Sequence, residues 1–452
     1  MEHNENTELL RRLIEREAWN ELSEQYEELH VQDIATVLEE LETGQLVQAF
    51  ETVAEEEQIR VLAYLTTQGQ ARLLDALEEQ EGRRLLRGLS PDDRTALLES
   101  LPRRDAEQLL RLLDFGEVKQ ALKLLGYPEE SAGRLMTTRF VTVRPEWTLG
   151  QALSHVRNCG ENEDTINTLY VTDRRGLLVG TVGLKRVVLG DPDQKIESLV
   201  TGPTVTIRGD EDREEAARLI QHYDITALPV VDARGALLGV VTVDDVMDVV
   251  QEETTEDFQK IGAVGVFNLS LHDASLTTLF QKRVGWLVLL VFVNMFAGEI
   301  IGAYEEAIEG LFVLMTFLPL VVDSGGNAGT QSATLMVRAM ATGDVKISDW
   351  LKLLGKELGV AAALGTTMAI AVFLVAYFWR AEGVLDVSVV IALGMIGVVV
   401  VGSLVGMLLP FGLAKLNMDP ATASAPLITS VADLAGIAMY FGIAATLLGL
   451  TV

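Results

Sequence analysis

The chain has 452 residues, of which 49% are hydrophobic, and a formal net charge of −29. That is too long for one core, so several domains are expected. The charge is unevenly placed: residues 284–452 hold 12 acids and 6 bases, against 53 and 30 in residues 1–283. An acidic soluble half repels phosphate backbones, which argues against a nucleic-acid partner, and it attracts cations. The lone Cys159 leaves no intramolecular disulfide and no CxxC metal site. The first 30 residues are charged and lack an apolar stretch. They read as no signal peptide and place the amino-terminal half in the cytosol.

Residues 1–130 read as a helical repeat domain. DIATVLEEL (33–41), EQIRVLAYL (57–65), EGRRLLRGL (81–89) and DAEQLLRLL (105–113) recur every 24 residues. LVQAFETV (46–53), QARLLDAL (70–77), RTALLESL (94–101) and VKQALKLL (118–125) recur at the same spacing. Leu41, Leu65, Leu89 and Leu113 share one place in the repeat, and Val53, Leu77, Leu101 and Leu125 another. Each unit predicts a short helix pair with one apolar face, buried only by stacking on its neighbours. Asp92 and Asp93 are candidate sensor acids in this domain.

After Gly126-Tyr127-Pro128 the pattern alternates between strands and helices, and it is duplicated. FVTVRPEWTLGQALSHV (140–156) matches TVTIRGDEDREEAARLI (204–220), and LYVTDRRGLLVGTVGLKRVV (169–188) matches LPVVDARGALLGVVTVDDVM (228–247). Asp173-Arg174-Arg175-Gly176 and Asp232-Ala233-Arg234-Gly235 predict hairpin turns with Gly at positive φ. The pair resembles tandem CBS domains, at 136–200 and 201–250. The resemblance implies an adenine nucleotide or ions between the copies. The T-x-x-D element of nucleotide-binding CBS domains stands in the second copy as Thr242 and Asp245. The first copy has Gly183 and Arg186 there.

A connecting helix is expected over 243–270. Its stretch VDDVMDVVQEETTED (243–257) places Asp245, Asp248, Glu252 and Glu256 on one face. That face is either solvated or bridged by hard divalent cations to carboxylates of a neighbouring domain, with Asp210, Glu211, Asp212, Glu214 and Glu215 as counterparts.

Residues 284–452 predict a five-span membrane domain: 284–303, about 311–340, about 354–379, about 387–413 and about 421–450. Lys282, Arg283, Arg338, Lys346, Lys352, Lys356 and Lys415 fall on one side and Arg380 on the other, which orients the soluble half into the cytosol. Gly355-xxx-Gly359 and Gly402-xxx-Gly406 offer close helix packing. The second span breaks its apolar run with Asp323, Ser324, Gly325, Gly326, Asn327, Gly329, Thr330, Gln331, Ser332 and Thr334. Lipid cannot satisfy such groups, nor backbone loosened by glycines. The segment is therefore read as the lining of a pathway in preference to a packing face. In the fifth, MDPATASAPLITSVADLAG (418–436), Asp419 leads, Pro426 is expected to interrupt the helix and free carbonyls, and Asp433 lies at depth with no basic partner nearby. A carboxylate there reads as a cation site in a pore.

The whole assembly resembles the MgtE family of bacterial magnesium channels, through GYPEESAGRLMT (126–137), SGGNAGTQSATL (324–335), TVDDVMDVVQEETTEDFQKIGAV (242–264) and DPATASAPLITSVAD (419–433). The resemblance implies a homodimer in the cytoplasmic membrane, with the pore between second and fifth spans. It implies a magnesium-selective pathway with Asp433 as the central ligand, lined by Asp323, Gly325, Gly326, Asn327, Ser332, Ala425, Pro426 and Thr429. It also implies that cytosolic Mg2+ closes the pore through Asp212, Glu214, Asp245, Asp248, Glu253, Glu256 and Asp419. The competing readings are a secondary transporter of another divalent cation, Co2+ or Ca2+, and a membrane-anchored CBS sensor. Nothing resembles an enzyme's nucleophile or hydrolytic metal site, so an enzyme is not expected.

Overall fold

The structure is a computed structural model that describes residues 2–160, 165–200, 203–267, 274–304, 312–380 and 385–449. Two compact units result, Met1–Gln251 and Glu252–Val452.

In the first unit, helices Glu2–Glu15 and Trp19–Tyr26 precede four helix pairs. The first members begin at Val31, Glu55, Glu79 and Arg103, the second at Thr43, Thr67, Pro91 and Phe115, in step with the 24-residue sequence period. Helices of nine to eleven residues are too short to persist alone in water, so packing must hold them. Leu65, Leu89 and Leu113 are buried as their shared place requires, while Leu41, Leu77 and Leu101 are half-buried against the same core. Starts are capped locally: Ser90 Oγ accepts from Asp93 N with Pro91 in the first turn, and Asp114 and Glu117 close a reciprocal box.

Each CBS copy is a three-stranded sheet. In the first, β1 (Phe140–Val143) runs parallel to β2 (Thr165–Thr172), and β2 is antiparallel to β3 (Leu178–Gly183). In the second, β4 (Ile207–Arg208), β5 (Ala227–Val231) and β6 (Leu237–Thr242) repeat the order. Helix Leu149–Cys159 makes the parallel crossover in one copy and Arg213–Tyr223 in the other. Gly176 (φ 80°) and Gly235 (φ 83°) take the left-handed conformation expected at the two turns. The turns also bond to each other: Leu178 N donates to Gly235 O (3.0 Å) and Leu237 N to Gly176 O (3.1 Å). The 126–137 junction is stitched into the second copy. Ala132 N donates to Glu211 O (2.8 Å), and Thr137 and Val240 exchange backbone bonds of 2.9 Å.

The connecting helix runs Val243–Ile261. It is shorter than expected, because Ala263 adopts a left-handed φ of 56° and Val264 N folds back to Gln259 O (2.9 Å). Residues 268–270 of the expectation lie outside the described residues, as do the expected span ends at Leu311 and Leu450.

Among the described residues of the second unit five helices are long and apolar enough to cross a membrane: Leu276–Ala303, Phe312–Ala341, Ile347–Phe378, Leu385–Lys415 and Ala425–Leu448. The fourth lies centrally, packed against the second, third and fifth. Its Ile391, Val398 and Val399 are fully buried in the membrane core. Tyr440 of the fifth donates its hydroxyl to Leu314 O (3.1 Å), tying the fifth span to the start of the second.

Candidate functional site

The polar stretch of the second span does not unwind: Phe312–Ala341 is one continuous helix. Its small and polar residues divide between two faces. Gly325 and Gly329 meet the fourth span, where a β-carbon on Gly325 would lie 2.6 Å from Val398 Cγ1 and one on Gly329 2.7 Å from Gly402 O. Gly325 therefore packs closely against the fourth span. Gly402 and Gly406 meet the backbones of Gly325 and Gly329 in return. A β-carbon on Gly355 or Gly359, the other expected pair, would meet nothing within 4 Å among the described residues of the chain.

Asp323, Asn327, Gln331 and Thr334 are exposed along the opposite face. Asn327 Nδ2 donates to Asp323 Oδ2 (3.0 Å). At intervals of three and four residues they form one polar stripe. Lipid cannot cover such a stripe, since hydrocarbon leaves polar groups unsatisfied at several kcal/mol each. Thr330 Oγ1 and Ser332 Oγ are buried and find no partner among the described residues.

Asp433 lies about two turns into the fifth span, Ala425–Leu448, half-buried. A β-carbon on Gly326 would stand 3.3 Å from Asp433 Oδ1 and 3.3 Å from Thr429 Cγ2, so Gly326 opens the space in which Asp433 and Thr429 meet the second span. Asp323 lies near enough to repel Asp433 electrostatically. A carboxylate in that opening with a second carboxylate near it suits a cation. Pro426 does not interrupt the helix. Ser424 caps it, Oγ accepting from Leu427 N (3.4 Å), and Pro426 falls in the first turn, where its missing N–H costs nothing. Ala425 and Pro426 thus sit at the mouth of the span, and Thr429 Oγ1 donates to Pro426 O (3.0 Å). The freed carbonyls expected within the span do not arise.

In the first unit the start of the connecting helix meets the repeat domain. Burial, and then repulsion from Asp244 and from Asp93, pushes the Asp245 carboxyl up to about 7, opposed by a hydrogen bond from Thr242 Oγ1. Asp93, a candidate from sequence, is thereby brought near Asp245. Asp248 is also pushed up, by partial burial and then Asp244. Asp212 caps helix Arg213–Tyr223, its Oδ1 accepting from Glu214 N (2.8 Å). Asp210 pairs with Arg208, and Glu215 with Arg218. In the first copy Arg186 donates to Leu199 O (2.9 Å) in place of a carboxylate. Among the described residues no three acidic, histidine or cysteine side chains converge as a ready metal cluster. Side chains at three- and four-residue intervals project in parallel, so ligation calls for groups from a second element or a second copy.

In the second unit the end of the same helix meets the fifth-span entrance. Asp419 Oδ1 accepts from Ala421 N (2.8 Å), capping a one-turn helix at Pro420–Thr422 that is separate from the span. Its Oδ2 accepts from Lys260 Nζ, which also pairs with Glu256. Burial, then Asp419, pushes Asp257 up to about 6. Lys260 was not among the expected site residues; the signal for it was a lone base in the acidic run, four residues after Glu256.

Family models match most of the chain: a divalent cation transporter domain at 318–443, an MgtE intracellular N domain at 29–130, and CBS domains at 132–190 and 196–252. The magnesium transporter MgtE of Thermus thermophilus is 38% identical over 322 residues, 71% of either chain. That of Bacillus subtilis is 34% identical over 321 residues, 70% of either. Among solved structures, the soluble part of a magnesium transporter aligns at 26% identity and TM-score 0.51, covering 56% of this chain and 99% of that one. The cytosolic domain of the Mg2+ channel MgtE in complex with ATP aligns at 34% identity and TM-score 0.50, covering 53% and 98%. Fold and matches define a multi-pass divalent cation transporter with a cytosolic N domain and a CBS pair. The chain belongs to the MgtE family.

Proposed function

We propose that this protein is a magnesium-selective channel, a homodimer that admits Mg2+ across the cytoplasmic membrane and is closed by cytosolic Mg2+. The observation that carries the reading is Asp433, inside the fifth span and beside Thr429, Gly326 and Asp323, next to a second-span stripe that needs water or a second copy. Mg2+ gives up its hydration shell reluctantly and prefers octahedral oxygen ligands. Two copies of Asp433, one from each protomer, would hold the ion through its waters without stripping them. Asn327 and Asp323 extend the polar path, and Ser332 and Thr330 hydroxyls are available to ordered water.

Closure is assigned to the acidic cytosolic face: Asp212, Glu214, Asp245, Asp248, Glu253 and Glu256, with Asp93 added from the repeat domain. Their mutual repulsion is relieved when divalent ions bridge them, so the ion favours the packed, closed arrangement. Asp419 is set apart from this set, because both its oxygens have partners in the chain. Adenine nucleotide binding is assigned to the second CBS copy through Thr242 and Asp245, in line with the ATP held by the related cytosolic domain.

The test is Mg2+ influx into proteoliposomes with no proton or sodium gradient imposed, beside Asp433→Ala. Influx is expected from the wild type, to be lost in the variant, and to be suppressed by cytosolic Mg2+ on the order of millimolar, as weak multi-carboxylate sites allow. Influx that survives the substitution would remove Asp433 from the pathway, and influx that needs an imposed gradient would replace the channel with a coupled transporter.

A further inference from the structure

The carboxylates at the end of the connecting helix and at the fifth-span entrance already hold a cation that belongs to the chain. Lys260 Nζ lies 2.5 Å from Asp419 Oδ2 and pairs with Glu256 one helical turn earlier, with Asp257 beside them. The three paired side chains are only 22–39% exposed. Glu256 and Asp419 are 163 residues apart in sequence, so their meeting is a tertiary contact and Lys260 is its centre.

Both ends of the contact are fixed. On one side Gln259 bonds the Phe267 backbone twice, Oε1 accepting from N (2.9 Å) and Nε2 donating to O (3.0 Å). Gly265 N donates to Lys282 O (2.8 Å), and Lys282 Nζ donates to Val266 O. The end of the connecting helix is thereby tied to the start of the first span. On the other side Asp419 holds the turn at Pro420–Thr422 through its second oxygen.

We infer that Lys260 is a built-in clasp that holds the connecting helix to the entrance of the fifth span without a divalent ion. The inference rests on the channel reading for its functional consequence. Without the lysine, Glu256 and Asp419 would be brought together as like charges with Asp257 close enough to add to the repulsion, and nothing in the chain would offset it. With it, one negative charge is neutralised by a group that never dissociates from the chain. The clasp therefore restrains the open state when cytosolic Mg2+ is absent and lowers the Mg2+ needed for closure.

Two measurements on the full-length protein separate this inference from the reading beneath it. Carbodiimide coupling in chelator, read by peptide mass spectrometry, is expected to join Lys260 to Asp419 at the same yield as in Mg2+, and to give no such product in Asp419→Asn. A product that forms only with Mg2+ present would overturn the clasp whether or not the protein conducts. In proteoliposomes, Lys260→Gln is expected to raise influx in chelated cytosolic Mg2+ about fivefold, and to raise the half-closing concentration by a similar factor, the scale of one half-buried ion pair. Lys260→Arg, which keeps the charge, is expected to behave as wild type and controls for folding. Wild-type levels in Lys260→Gln would overturn the clasp while leaving the channel intact. Absence of influx in every form, with the coupled product still present, would overturn the channel reading alone.

Discussion

Gly402 of the fourth span lies against Gly325 of the second so closely that a β-carbon on Gly402 would fall on the Gly325 backbone. One turn on, Gly406 stands in the same relation to Gly329. Two glycine pairs at four-residue spacing therefore face each other, which lets two helix backbones touch where no hydrophobic effect draws them together. The close approach also sets the rotation of the second span: with glycines inward, Asp323 and Asn327 must point outward. Gly402→Ala is expected to destabilise the membrane domain by about 1–3 kcal/mol, the cost of overpacking, and to reduce Mg2+ influx by turning the polar stripe. Gly355→Ala, which meets open space, is expected to change neither. Thermal unfolding in detergent and proteoliposome flux measure both, and equal effects at the two sites would contradict the packing assignment.

Asp245 makes stability depend on pH. Its folded-state carboxyl titrates at about 7, above its ordinary value, chiefly through burial and then through Asp244 and Asp93. A raised carboxyl favours the folded state while protonated. That contribution is fully present below the unfolded pKa near ~4 and is lost as pH rises through about 7. Raising the pH from 5.5 to 8 is expected to cost the cytosolic unit on the order of 2 kcal/mol, read as a fall in its unfolding temperature. Asp245→Asn removes that slope, and so does millimolar Mg2+ if the ion rests on the ionised carboxylate. A variant that keeps the wild-type slope would place the titration on another group.

Periodicity carried most of the architecture into the sequence. The 24-residue repeat places helix starts at Val31, Glu55, Glu79 and Arg103, and the duplicated strand-turn-strand pattern places Gly176 and Gly235 in their turns. Both are local signals. The site was legible in residue type but less so in direction. Asp433 could be singled out because a lone carboxylate in an apolar run is costly, yet nothing local distinguishes Gly325, which packs on Val398, from Gly326, which faces Asp433. That difference is one residue of helical rotation, fixed by a helix about 75 positions away in the chain. Pro426 was misjudged because a proline at the first turn and one at mid-helix look alike until the Ser424 cap is seen. Lys260 was missed because its partner Asp419 is 159 residues distant.

Asn327 and Gln331 separate the stripe from the fold. Both are exposed in the single chain, so replacing them removes no buried packing. Asn327→Leu and Gln331→Leu are expected to leave the stability of the detergent-solubilised protein, read from its unfolding temperature, within the about 0.5 kcal/mol usual for surface changes. Asn327→Leu also strips the amide that holds Asp323 at 3.0 Å, leaving that carboxylate beside Asp433 without its donor. If the stripe faces water and a second protomer, Mg2+ influx falls at least tenfold in Asn327→Leu, because an apolar ring near the Asp433 level resists hydrated ions. If the stripe instead faced lipid, leucine would improve the fit, and both stability and influx would hold or rise. Influx decides between the two arrangements, falling under the first and holding or rising under the second, while the unfolding temperature shows that the fold is intact in both.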